Sequence, residues 1–183
     1  MKVTQTEIAG ILILEPIVYE DARGYFYESF NQQVFAEVIG QKITFVQDNQ
    51  SCSQRGVLRG LHYQLPPMAQ CKLVRCLAGE IYDVVVDIRR NSPTFGQWLG
   101  FTISAENKKQ LWIPEGFAHG FVTLSDTAEV LYKVTQYWSR EYERCISWSD
   151  QELDINWLIN SDAVLASEKD QQGCSFTQAV IFA

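Results

Sequence analysis

The chain has 183 residues, a formal net charge of −7 and a hydrophobic fraction of 46%, with five Trp, eight Tyr and ten Phe. That suits one domain with a substantial core, and the acidic balance excludes a generic nucleic-acid binder, which would carry a basic stripe. No apolar run approaches the roughly 20 residues of a membrane span. The N-terminus, MKVTQTEIAG, lacks the apolar stretch of a signal peptide, and five cysteines without a CxxC pair suit reduced thiols in a cytoplasmic protein.

Residues 11–18 (ILILEPIV) are strongly β-prone, with Pro16 marking an edge or a strand end. Asp21-Ala22-Arg23-Gly24 is a turn. Residues 25–30 have strand character, and aromatics on both faces predict burial on both sides, against a second subunit. Residues 31–40 (NQQVFAEVIG) carry the best helix signal: Asn31 caps, Val34, Phe35 and Val38 form an apolar face, and Gly40 stops it. A short strand is expected at 43–47 and a polar turn at 48–51.

From Gly56 onward short apolar runs alternate with turn signals. Strands are expected at 57–64, 72–77, 81–88, 98–103, 110–113, 120–124, 129–137 and 144–148. Such spacing predicts an antiparallel sandwich or barrel. The barrel core is expected at about 40–150. Residues 151–183 form a weakly patterned C-terminal segment, loop with a helical turn, within one domain spanning 1–183.

The chemistry concentrates in 57–76 (VLRGLHYQLPPMAQCKLVRC), which holds one of only two histidines. Period-two alternation puts Arg59, Leu61 and Tyr63 on one face and Gly60, His62 and Gln64 on the other. The Pro66-Pro67 loop then returns Lys72 to the same mouth. A base and two cations in one cleft suit an anionic substrate. A free histidine side chain titrates near neutrality, which general-base work favours, so His62 is the candidate base. A carboxylate on its far nitrogen would fix its tautomer, and Asp83, Asp87 and Asp170 are all candidates. Lys72 can stabilise an oxyanion, Arg23 and Arg59 can clamp a diphosphate, and Tyr132 can serve as an acid. Taken singly, each is equally a solvated charge or a barrel-lining side chain.

Pro114-Glu115-Gly116-Phe117-Ala118-His119 matches PxGxxH, the second signature of the cupin barrel, and Gly79 sits where the first ends. Two histidines per chain preclude a three-histidine metal site and leave open one of two histidines and a carboxylate; the preferred reading is no metal, with His119 a hydrogen-bonding residue. Further motifs occur in order: Asp21-x-Arg23-Gly24-x-Phe26-x-Glu28, Phe45-Val46-Gln47-Asp48-Asn49, Val57-Leu58-Arg59-Gly60-Leu61-His62, Lys72-Leu73-Val74, Ser92-Pro93-Thr94-Phe95-Gly96, Trp112-Ile113-Pro114 and Tyr132-Lys133. Together they resemble the dTDP-4-dehydrorhamnose 3,5-epimerase family of metal-free cupins.

The resemblance implies a mainly β fold, a cupin double-stranded β-helix jelly-roll barrel with a few short helices. It implies cofactor-independent epimerisation at carbons 3 and 5 of dTDP-4-dehydro-6-deoxy-D-glucose, serving dTDP-L-rhamnose and lipopolysaccharide or O-antigen synthesis. The alternative is a mono-epimerase of a deoxysugar pathway. His62 is then the base, Asp170 its preferred partner, Tyr132 the reprotonating acid and Lys72 the enolate stabiliser. Substrate contacts carry over to Arg23, Glu28, Gln47, Asn49, Arg59, His119, Glu143 and Lys169, with Phe26 and Tyr137 sandwiching the thymine. The expected partners are the dTDP-sugar and a second copy, in a homodimer with exchanged N-terminal strands. No cofactor, nucleic acid or membrane is expected.

Overall fold

Alternating apolar and polar side chains make strands, and a sheet with one apolar face must cover it. The structure, a computed structural model, describes residues 1–182. It begins with β1 (Lys2–Gln5) and β2 (Leu12–Glu15), then a hairpin of β3 (Tyr19–Asp21) and β4 (Gly24–Phe26), then helix α1 (Gln32–Ile39). The barrel strands follow: β5 (Gln47–Gln54), β6 (Val57–Gln64), β7 (Lys72–Ala78), β8 (Glu80–Asp87), β9 (Trp98–Ser104), β10 (Gln110–Ile113), β11 (Phe117–Thr123), β12 (Thr127–Val134) and β13 (Glu143–Cys145). A short β14 (Leu165–Ala166) and α2 (Glu168–Gln171) lie in the C-terminal segment.

One sheet has the order β1-β2-β10-β7-β12-β5 and the other β13-β6-β11-β8-β9, with β14 added parallel to β6. All other pairings are antiparallel, giving the mainly β jelly-roll of cupin type that the sequence predicts. Val74, Ile81, Val85, Ile103, Leu111, Phe121 and Val130 pack together in one core. A second core, with Leu58, Leu61, Val84, Val86, Val122 and Trp157, packs under the C-terminal segment. Strands β8 and β11 are therefore covered on both faces, which is why they read as nearly continuous apolar runs. The segment is pinned by hydrogen bonds from Trp98 to the Leu153 carbonyl (2.9 Å) and from Tyr63 to that of Val180 (2.6 Å). No helix among the described residues is long and apolar enough to cross a membrane.

Asn31 caps α1, accepting from the N–H groups of Gln33 and Val34, and Gly40 ends it in the left-handed conformation, as expected. Phe35 plugs the helix into an aromatic cluster with Phe30, Phe45 and Trp112. Elsewhere the expectations shift. Strand β1 was not foreseen, because its four residues are all exposed and carry no apolar alternation. Of the expected 25–30 strand only Tyr25 and Phe26 pair, in a strand that starts at Gly24, and those aromatics are exposed in this chain. No strand forms at 43–46, and the supposed turn at 48–51 lies inside β5. Polar residues on both faces disguise β5: Asp48 meets Lys133 on the outside, while Gln47, Asn49 and Ser51 line a cavity.

The main departure is in β6. Its register with β11 pairs His62 with His119 but Arg59 with Phe121, so Gly60 and Leu61 together oppose Gly120. This bulge reverses the alternation. Arg59 and His62, expected on opposite faces, both line the same cavity, while Leu58 and Leu61 enter the core behind it. Gly60 has φ +138°, and a Cβ there would lie 2.5 Å from the Gly120 Cα and 2.9 Å from the His119 carbonyl oxygen. Gly60→Ala is expected to lose roughly 3 kcal/mol in urea denaturation, from backbone strain plus overpacking. Gly24→Ala, at φ +122° with nothing within 4 Å, meets the strain alone and loses less.

Candidate active site

A cleft of about 680 Å³ opens between the two sheets, within the size range of small-ligand sites. Strand β5 contributes Gln47, Asn49 and Ser51, β6 contributes Arg59, His62 and Gln64, and β7 contributes Lys72. His119 and Phe121 come from β11, Tyr132 from β12, Glu143 from β13, and Ser167, Lys169 and Asp170 from the C-terminal segment. Lys72 reaches His62 because the 65–71 loop crosses from one sheet to the other; β6 and β7 are not a hairpin. Its Nζ donates to the His62 carbonyl oxygen at 3.3 Å.

The three aspartates left open for His62 separate cleanly. Asp170 takes it: His62 Nε2 stands 2.6 Å from Asp170 Oδ1. The approach is angled, short of an aligned hydrogen bond. With Nε2 turned to Asp170, Nδ1 is the nitrogen left to take a proton. Asp170 is itself held by the Ser167 hydroxyl (2.7 Å) and the Gly60 N–H (3.4 Å). Ser167 also accepts from the Asp170 N–H, the reciprocal cap that starts α2. Burial alone would raise the Asp170 pKa, but His62, Ser167 and Gly60 outweigh it and hold the carboxyl below its ordinary value. Asp83 serves His119 instead, Oδ2 to Nε2 at 2.9 Å, with both side chains buried. Asp87 is bound to Arg89, Ser92 and Thr94; those bonds overcome burial and hold it at about 2.

Burial sets the acidity of the remaining groups. It lowers Lys72 to about 8, with Asp83 and Glu143 opposing. It lowers His119 despite Asp83, so that imidazole is neutral at pH 7. It raises Tyr132, partly offset by Arg59, so the phenol keeps its proton. Tyr132 lies directly across from Asn49 on β5, in the wall opposite the His62 strand. Arg59 donates from Nε to the Ser53 hydroxyl at 3.1 Å, and Lys169 pairs with Glu143 at 2.6 Å on the rim. A base, a protonated acid on the facing wall and a buried cation can together move a proton beside a carbonyl.

Ten expected residues thus meet in one cleft: Gln47, Asn49, Arg59, His62, Lys72, His119, Tyr132, Glu143, Lys169 and Asp170. Four do not. Tyr137 points outward, 59% exposed, and its neighbour Trp138 faces the cleft instead. Strand β12 ends at Val134, so alternation no longer predicts direction there. The turn is set by Gln64 Nε2 on the Tyr137 carbonyl and by the Trp138 N–H on Gln47 Oε1. Arg23, Phe26 and Glu28 lie outside the cleft: Arg23 and Phe26 line a separate surface hollow of the β3–β4 hairpin, and Glu28 another beside α1. Arg23 there pairs with Asp21, and Glu28 accepts from Asn31. Sequence reasoning missed Gln64, Trp138 and Ser167; for Ser167 the Ser-x-x-Asp cap was a readable signal.

Cys145 lies beside the dyad. Among the described residues, its Sγ, a ring nitrogen of His62 and the Asp170 carboxylate form the one cluster of three such groups, all within 4.8 Å of one another. Burial, then the charge of Asp170, pushes the thiol up to about 12.

The model of a dTDP-4-dehydrorhamnose 3,5-epimerase family matches residues 5–178. A Shigella flexneri dTDP-4-dehydrorhamnose 3,5-epimerase is 58% identical over 182 residues, covering 100% of this chain and 99% of the relative. The crystal structure of such an epimerase from Elizabethkingia anophelis superposes with a TM-score of 0.93 at 48% identity, over 97% of each chain. A Legionella pneumophila epimerase, crystallised with dTDP-4-keto-L-rhamnose, gives 0.93 at 49% identity, over 97% of this chain and 93% of that one.

The Asp170 environment sets a pH dependence. A carboxylate whose folded pKa is depressed stabilises the fold above its unfolded pKa, and that stability is lost as pH falls through the folded value. The difference in urea midpoint between the wild type and Asp170→Asn is expected to hold steady above about pH 5. It should shrink once the pH passes below the ~3.9 of a free aspartate.

Proposed function

We propose a division of labour in the cleft from one premise: the chain belongs to the dTDP-4-dehydrorhamnose 3,5-epimerase family. It is an isomerase that inverts carbons 3 and 5 of dTDP-4-dehydro-6-deoxy-D-glucose to give dTDP-4-dehydro-L-rhamnose. The ketone at carbon 4 acidifies the protons on both neighbours. His62 removes such a proton through Nδ1 while Asp170 steadies the imidazolium. Lys72 holds the carbon-4 oxygen as it becomes an enolate oxygen. Tyr132 returns a proton to the opposite face. The observation that carries this reading is the facing placement: base on one wall, protonated phenol on the other, buried cation between the sheets.

Arg59 suits the diphosphate, and Gln47, Asn49 and Trp138 suit the nucleotide, with the indole in the place expected of Tyr137. His119, neutral and fixed by Asp83, serves as a hydrogen-bonding wall of the sugar site. Glu143 and Lys169 line the rim. We assign Arg23, Phe26 and Glu28 to the cleft of a second copy, in a homodimer that exchanges N-terminal strands. The support is their exposure here: Tyr19, Tyr25 and Phe26 are 65%, 60% and 69% accessible, an apolar patch that calls for a partner. A cytoplasmic enzyme feeding lipopolysaccharide or O-antigen rhamnose completes the reading.

Incubation with dTDP-4-dehydro-6-deoxy-D-glucose in heavy water tests the assignment by NMR. Deuterium is expected at carbons 3 and 5, and His62→Ala should slow its entry at both by about 10²–10⁴-fold. Deuterium at one carbon alone would move the protein to the mono-epimerases. Tyr132→Phe should retain exchange at the first carbon attacked while losing inverted product. Because Lys72 works as the cation, kcat should fall as pH rises through about 8. A profile flat to well above that value would remove Lys72 from its role.

A further inference from the structure

The residue beside the base dyad has no part in the epimerisation. Cys145 is the register partner of His62 across the β13–β6 ladder. The next pair, Ile146 and Leu61, exchange both backbone hydrogen bonds, at 3.0 and 3.1 Å. The Cys145–His62 pair is therefore the non-hydrogen-bonded type, in which side chains stand closest. Both project to one face of the sheet, while Leu61 and Ile146 enter the core on the other. Asp170 arrives over that face from α2.

We propose that Cys145 Sγ, His62 Nε2 and the Asp170 carboxylate form a three-ligand site for a soft divalent cation of the zinc type, and that a cation held there silences the base. Three observations carry it. The ligand atoms lie within 4.8 Å of one another and come from three separate elements, so the backbone holds them together. His62 Nε2 is shut off from solvent and has no aligned hydrogen-bond partner. The carboxylate is oriented from behind by the Ser167 hydroxyl and the Gly60 N–H, the kind of support that steadies metal ligands.

A thiolate, an imidazole and a carboxylate select zinc over magnesium or calcium, and three protein ligands leave a fourth position open. Nε2 and Oδ1 stand 2.6 Å apart, and two ligands of one tetrahedral zinc need about 3.3 Å. The carboxylate therefore shifts by under about an ångström, on a short helix at the barrel's edge. Binding releases the thiol proton to solvent, and the one proton of the neutral ring moves from Nε2 to Nδ1 so that the Nε2 lone pair can ligate. The nitrogen assigned to proton abstraction, Nδ1, is then already protonated, so the ring has no free lone pair with which to act as a base.

The probe is zinc chloride titrated into chelator-treated wild type and Cys145→Ser, followed by calorimetry and by the rate of deuterium exchange. The wild type should bind one zinc per chain and lose turnover, with recovery on adding chelator. Cys145→Ser should keep the basal turnover, which also shows that it folds, and should bind zinc at least about tenfold more weakly. Cobalt(II) gives a second readout: a thiolate-to-cobalt charge-transfer band in the wild type, absent from Cys145→Ser. Absence of binding, or equal affinity in both proteins, overturns the site. Zinc bound through Cys145 with undiminished turnover overturns the silencing. That arm rests on His62 being the base, whereas calorimetry and the cobalt spectrum do not, so failure of either reading is seen separately.

Discussion

One extra residue in β6 governs the cleft. Without it, period-two alternation would send Arg59 and His62 to opposite faces, and the base would lie apart from its anion-binding neighbour. With Gly60 and Leu61 opposing Gly120 alone, both polar side chains enter the cavity, and Leu58 and Leu61 both enter the core behind it. That core is what the C-terminal segment covers, and the same segment delivers Asp170 to His62. The Gly60 N–H reaches the Asp170 carboxylate from the bulge itself. A single local irregularity therefore places His62, orients Asp170 and fixes the element that carries Asp170. Only glycine fits, because the two backbones approach too closely for a Cβ.

Burial then tunes the walls. Lys72, His119 and Tyr132 are all shifted toward their neutral forms by loss of water, and each shift is moderated by a specific charge. Asp170 moves the other way, because three donors converge on it. The resulting contrast is one firm anion among groups held toward their neutral forms, the kind of setting that suits proton transfer. Asp83 supplies negative charge to two neighbours at once, bonded to His119 and acting through space on Lys72. Its charge, with that of Glu143, opposes the lowering that burial imposes on the lysine.

The base dyad is set close to a thiol that the reaction does not use. A strand register, a parallel β14–β6 pairing and a four-residue helix converge there. Efficient delivery of a carboxylate to an imidazole also builds most of a cation site, since both tasks require anionic or neutral donors aimed at one point. Cys145 completes the third corner because it is the cross-strand neighbour of His62.

Much of this was legible from residue order. Asn31 and Gly40 bound α1, the apolar runs of β8 and β11 announced buried strands, and the ordered motifs named the family and ten residues that meet in the cleft. These signals are local or linear, so a sequence carries them whole. What the sequence could not decide depends on partners far along the chain. Asp83, Asp87 and Asp170 are equivalent as letters; strand register and the path of the C-terminal segment separate them. Strand β5 is polar on both faces, because one face meets Glu129 and Lys133 of β12 and the other a cavity, so no apolar pattern marks it. Trp138 replaces Tyr137 because side-chain amides from β5 and β6 turn a loop after alternation has ended. The bulge at Gly60 is the clearest case: two glycines sixty residues apart must meet before either has a meaning, and only tertiary packing brings them together.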